Sequence, residues 1–161
     1  MKLNLARNTI GIILFAALVV MVPTAAQAGQ CSLGNTAGKY GFTLSGILIV
    51  STGPIPVAAV GRAVLDAAGN ASGTESRSIG GGFADETFTG TYTVNPDCTG
   101  AATLHFYEAG QLVRTSVLSI VFDNNEREIR MVQKSLQLPN GAFLPVVITV
   151  EARKILTEDE D

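Results

Sequence analysis

From residue 38 onward the chain alternates apolar and polar positions. ETFTGTYTV (86–94) shows this most plainly: Phe88, Gly90, Tyr92 and Val94 fall on one side, and Thr87, Thr89, Thr91 and Thr93 on the other. A period of two places successive side chains on opposite faces of a strand, and β-branched and aromatic residues favour that conformation. KYGFTLSGILIV (39–50) aligns Tyr40, Phe42, Leu44, Gly46 and Leu48; VAAVGRAVLD (57–66) aligns Ala59, Gly61, Ala63 and Leu65. NASGTESRSIGG (70–81) reads as a polar strand, and GAATLHFYE (100–108) puts Ala102, Leu104 and Phe106 on one face. QLVRTSVLSIVF (111–122), EIRMVQKS (128–135) and LPVVITVEARK (144–154) complete the set. Between them lie the loop STGPIP (51–56), turns at Ala67-Ala68-Gly69-Asn70, Gly80-Gly81-Gly82, Asn95-Pro96-Asp97, Ala109-Gly110 and Asp123-Asn124-Asn125, and the loop LQLPNG (136–141).

Eight strands joined mostly by short turns pair in sequence and antiparallel. The expected fold is all-β: a single antiparallel eight-stranded up-and-down barrel, calycin-like, which leaves no exposed sheet edge. A β-sandwich is the alternative. Glycines on the inward face (Gly46, Gly61, Gly90) favour the barrel, because closure needs tight bends where side chains would crowd.

The first residues follow a different pattern. Lys2 and Arg7 precede an apolar run from Thr9 to Val22, Pro23 breaks it, and Ala26-Gln27-Ala28 places small residues where a signal peptidase reads. This is the pattern of a secretory signal peptide cleaved after Ala28. The run is short of the roughly 20 residues a spanning helix needs. Gln30 before Cys31 does not fit a lipidation signal. The chain therefore divides into a signal peptide (1–28), a barrel domain (29–156) and an acidic, disordered tail (157–161), and the protein is expected in the periplasm or outside the cell. No membrane span is expected in the mature chain.

Removal of residues 1–28 leaves nine Lys and Arg against fourteen Asp and Glu, a charge of −5. Nucleic-acid binding needs clustered basic residues, so no nucleic-acid partner is expected. Export also bears on the two cysteines. In an oxidising compartment Cys31 and Cys98 are most simply one disulfide, tying the N-terminus to a hairpin tip. The rival reading, a redox or metal-binding thiol pair, has no C-x-x-C and a single histidine to draw on.

Three stretches carry a resemblance. C-x-x-x-x-x-x-G-x-Y-G-F-T-L-S-G (31–46), V-G-R-A-V-L-D-A-A-G-N-A-S-G-T (60–74) and F-T-G-T-Y-T-V-N-P-D-C-T-G (88–100) are similar to a group of small exported bacterial proteins of unknown function. Gly38-x-Tyr40 also resembles the G-x-W start of lipocalins and other calycins, with Tyr40 in place of Trp, and the layout is similar to allene oxide cyclase barrels. These resemblances imply a barrel and assign no activity.

The chain shows no nucleophile elbow, phosphate-cradling loop or metal-ligand spacing, so no catalytic residue, metal or cofactor is expected. His105 lies opposite Leu104 and Phe106 and is read as facing solvent. Glu128 and Arg130 alternate with Ile129 and Met131, an ordinary outer face. Glu75 and Arg77 share a face with Ala71, Gly73 and Ile79. The plainer reading of that face is an outward strand with solvated charges. The sharper one turns them inward, where a lone buried charge is costly and Arg114 would be a partner. Glu75, Arg77, Arg114, Tyr40, Phe88 and Tyr92 are then the candidate ligand-binding residues. The function expected first is an exported, non-enzymatic barrel that holds a small apolar molecule. The alternatives are a structural or interaction module of the cell envelope and, third, an isomerase or cyclase in which Glu75, Arg77 or Tyr92 polarises an apolar substrate. Nothing in the sequence specifies an oligomeric state.

Overall fold

A computed structural model describes residues 31–155. The expected signal peptide and acidic tail lie outside the described residues. A single helical turn, α1 (Leu33–Thr36), precedes nine strands: β1 (Gly38–Val50), β2 (Gly53–Leu65), β3 (Asn70–Ile79), β4 (Gly82–Val94), β5 (Thr99–Glu108), β6 (Gln111–Asp123), β7 (Glu128–Gln137), β8 (Phe143–Leu144) and β9 (Val146–Lys154). Each of β1 to β6 pairs antiparallel with the next, β6 pairs with β7, β7 with β9, and β9 returns to β1. Eight strands therefore close a ring, which excludes the sandwich, where two sheets would leave that ring broken. β8 is an added two-residue strand on the end of β7.

Two expected loops are partly strand. Only Ser51 and Thr52 turn the chain after β1; GPIP belongs to β2. Its prolines sit where the ladder needs no donor from them. Ile49 opposite Pro54 sends its N–H to Pro145 O on the β9 side, so that pair is not hydrogen-bonded and the Pro54 nitrogen faces away from β1. On that other side β3 has already ended, since its last partner on β2 is Val57. LQLPNG likewise gives Leu136 and Gln137 to β7, where Leu144 and Phe143 pair with them. Pro145 then interrupts the strand before β9.

Phe42, Phe88, Phe106, Tyr40, Tyr92, Leu118, Ile120, Ile148 and Val150 are buried inside the ring. The rings of Phe42 and Phe88 lie 6.0 Å apart and those of Phe88 and Phe106 5.3 Å apart. Phe42 pairs across from Gly61, and Phe88 across from Gly73. A Cβ on Gly61 would stand 2.6 Å from Phe42 Cζ, so the missing side chain is the space the ring occupies. Interior glycine here serves both curvature and aromatic packing.

One end of the barrel is closed. α1 is capped by the Ser32 side chain, which accepts from Asn35 N–H at 3.3 Å. Thr36 is wholly buried. Tyr40 Oη donates to Thr36 O at 2.6 Å, and Tyr92 Oη to Asp66 O at 2.7 Å. The disulfide between Cys31 and Cys98 fastens this segment to the β4–β5 turn. Cys98 adopts a left-handed φ of 66° at that tip. Its carbonyl accepts from Phe122 N–H at 2.8 Å, so the sulfur is presented from a hydrogen-bonded turn.

Candidate functional site

Inward-facing positions of β3, β4, β5 and β6 bring five charged residues into one chain of ion pairs. Glu75 and Glu86 are direct cross-strand partners on β3 and β4. Two carboxylates facing each other would repel; two arginines prevent it. Arg114 Nη2 donates to Glu75 Oε1 at 2.6 Å, and its Nη1 to Glu86 Oε2. Arg77 donates from Nε to Glu86 Oε1 and from Nη2 to Glu108 Oε2, the latter at 3.0 Å. The order is Glu108, Arg77, Glu86, Arg114, Glu75, with signs alternating. Glu108 is half-exposed, while the side chains of Glu86 and Glu75 are 0% and 1% exposed.

Each arginine is held in place by more than its charge. The Arg114 guanidinium lies 3.9 Å from the centroid of the Phe106 ring, a cation–π stack. β5 and β6 slip register beside it, between Phe106 and Tyr107, so that Phe106 pairs with Arg114 and Tyr107 with Leu112. The bulge re-aims the side chains at this end of β6. Near Arg114 on the same face, Ser116 Oγ accepts from Gln133 Nε2 at 3.0 Å, and that nitrogen also donates to Ser135 O at 3.1 Å.

Desolvation raises the Glu75 carboxyl above its ordinary value of 4.5. Arg114 pulls it back down and Glu86 pushes it further up, so burial and the facing carboxylate together outweigh one guanidinium. Tyr40 is pushed up to about 12, first by burial. Its hydroxyl is committed to the carbonyls of Thr36 and Glu126.

Within the barrel lies a cavity of about 100 Å³. Its wall is apolar (Leu44, Ala59, Ala102, Leu104, Ile148 and Val150 among others) apart from Glu75, Arg77, Arg114, Ser116 and Gln133. An apolar cavity of about 150 Å³ holds benzene, so this one suits a short branched chain or a small ring.

All six candidate binding residues border the cavity. Glu75 and Arg77 do not lie on an outward strand with solvated charges, as the plainer reading had them. β3 presents its odd positions inward, and partners from β4, β5 and β6 make the burial affordable in charge terms. Tyr40 and Tyr92 contribute ring surface only, since their hydroxyls serve the plug. Glu86 was missed. It opens the stretch 86–94 with the parity of Phe88, but its partners Arg77 and Arg114 lie on other strands and nothing beside it along the chain points to them. His105 is half-buried on the outer face, with Nδ1 3.0 Å from Thr115 Oγ1. Glu128 and Arg130 do face outward and reach Arg153 and Asp123. Among the described residues, the grouping of possible metal ligands is Cys31, Cys98 and Glu126, and both sulfurs are bonded to each other.

No protein-family model matches the chain, and no curated protein does. Among solved structures it is similar to a redesigned β-barrel, mFAP1, determined bound to DFHBI. The two are 15% identical with a TM-score of 0.50, over 76% of this chain and 98% of that one. At that identity the likeness is one of fold.

Proposed function

We propose that this protein is an exported barrel that binds a small, mostly apolar molecule in its interior. The observation that carries the reading is the cavity itself: an apolar chamber bordered by Tyr40 and Tyr92, the residues that hold α1, with its polar groups gathered on one wall. Small-molecule sites have this form, apolar walls with a few placed polar groups that orient the ligand. That the similar redesigned barrel was determined bound to a small molecule supports the same use of the fold.

The test is a titration with 3-methylbutanol followed by amide chemical shifts. Saturable shifts centred on Ala102, Leu104 and Ile148, abolished in Ala102→Phe, are the expected result. Shifts that never saturate, or that fall on the outer face, overturn it. Export is tested by sequencing the N-terminus of the protein as cells release it; Gly29 should come first.

A second reading, an isomerase or cyclase working inside the barrel, is favoured by one observation: Glu75 and Arg77 both border the cavity. A buried carboxyl that holds its proton more tightly than an exposed one is the kind of group that serves as a general acid. Tyr92 takes no part in it, because its hydroxyl donates to Asp66 O.

A further inference from the structure

The polar wall of the cavity is asymmetric in charge. The ion-pair chain holds three carboxylates and two guanidiniums. Glu86 uses both of its oxygens, one on each arginine. Glu108, at one end, is half-exposed and water solvates its surplus charge. Glu75, at the other end, has no such outlet: it is buried, and its Oε1 is the oxygen that Arg114 holds. Among the described residues no N–H or O–H donates to Oε2; the carboxyl also lies within hydrogen-bond reach of the facing Glu86 carboxyl, another acceptor, and it borders the cavity. A second acceptor is near Arg114 in the wall, because Gln133 uses its Nε2 on Ser116 and Ser135 and leaves its Oε1 free.

We propose that the cavity takes an organic monocation, a small aliphatic or cyclic amine whose apolar body fills the chamber and whose ammonium donates to Glu75 Oε2. This deepens the reading of the interior as a binding site and rests on it. An ammonium brings a third positive charge to the chain and supplies the donors that the free acceptors lack. A carboxylate ligand would do the reverse. It would add a fourth negative charge beside two arginines already matched, and buried unmatched charge is costly. A neutral alcohol would satisfy one acceptor and leave the charge as it is. The same cation would relieve the burial that now holds the Glu75 carboxyl above its ordinary value.

Three probes of one shape separate these cases: 3-methylbutylamine, 3-methylbutanol and 3-methylbutanoate, titrated into the protein at pH 7. The amine should bind about tenfold tighter than the alcohol, and the carboxylate more weakly than either. Glu75→Gln should remove the amine's advantage and leave the alcohol's affinity within about twofold, which also shows that the variant is folded. A measurement on the unsubstituted protein stands apart from any variant. At pH 4 Glu75 is protonated and the amine should fall to the alcohol's affinity; the other charged groups facing it are Arg114, Arg77 and Glu86, with Glu108 beyond. Tightest binding by the carboxylate, equal binding of amine and alcohol at pH 7, or an amine advantage that persists both in Glu75→Gln and at pH 4 overturns the proposal. In those cases saturable alcohol binding leaves the interior site standing. If none of the three probes binds, both readings fall.

Discussion

Glu86 shows how much one inward carboxylate holds. It is the shared counter-ion of Arg77 and Arg114, and its side chain is fully buried. Removing one partner from a buried ionic network leaves the others uncompensated, which costs about 3–5 kcal/mol. Glu86→Ala should therefore lower the unfolding free energy by about that much in urea titrations. Exposed Arg130→Ala, whose pair with Asp123 is solvated, should change it by less than about 1 kcal/mol. Equal effects from the two would mean that the interior chain is not a structural unit. A residue-scale gain lies in the β5–β6 turn. Ala109 and Gly110 adopt φ of 50° and 80°, the two-residue turn that favours Asn-Gly. A left-handed conformation costs an alanine roughly 1–2 kcal/mol, so Ala109→Asn should raise stability by about 1 kcal/mol.

At the scale of elements, the plug and the barrel wall depend on each other. α1 is only four residues long and has no stability of its own. It is held by the hydroxyls of Tyr40 and Tyr92 and by the disulfide. That bridge spans a sequence separation of 67. Loop-closure entropy for that span corresponds to about 4 kcal/mol. Replacing both cysteines by serine should lower the melting temperature markedly, and an unchanged value would remove the bridge from the account. The long, evenly alternating strands were readable from sequence because an inward face and an outward face differ so plainly in β4 and β9. STGPIP was not, because proline normally ends a strand. What rescues Pro54 and Pro56 is that β3 ends at the level of Val57, a matter of strand length elsewhere in the sheet.

For the whole molecule, acid and base should act in three separate windows. The folded chain holds a proton on Glu75 above pH 4.5 that the unfolded chain releases, so stability falls as pH rises from 4.5 through the folded value and stays lower above it. Asp66 and Asp97 are held below 3.8 by hydrogen bonds from Asn70 and Thr99, so the stability they contribute is present above 3.8 and is lost as pH falls further. Tyr40, pushed up to about 12, stays neutral where the unfolded chain ionises, and stability falls again as pH rises from 10. Unfolding by urea across this range should show its maximum near pH 4, between the two carboxylate windows. In Glu75→Gln the decline above 4.5 should flatten. A decline of the same size in that variant would place its origin elsewhere.

The sequence by itself determined eight main strands, their antiparallel order, a barrel favoured over a sandwich and the pairing of Cys31 with Cys98. These follow from local alternation, turn residues and the presence of two cysteines, all of which can be read along the chain. Only the tertiary structure decided which way Glu75 and Arg77 face and that Glu86 joins them. A charged position has no preferred face until its partners are known. Here the partners come from β4, β5 and β6, as many as 39 residues away along the chain, and only ring closure brings them to the same wall of the cavity.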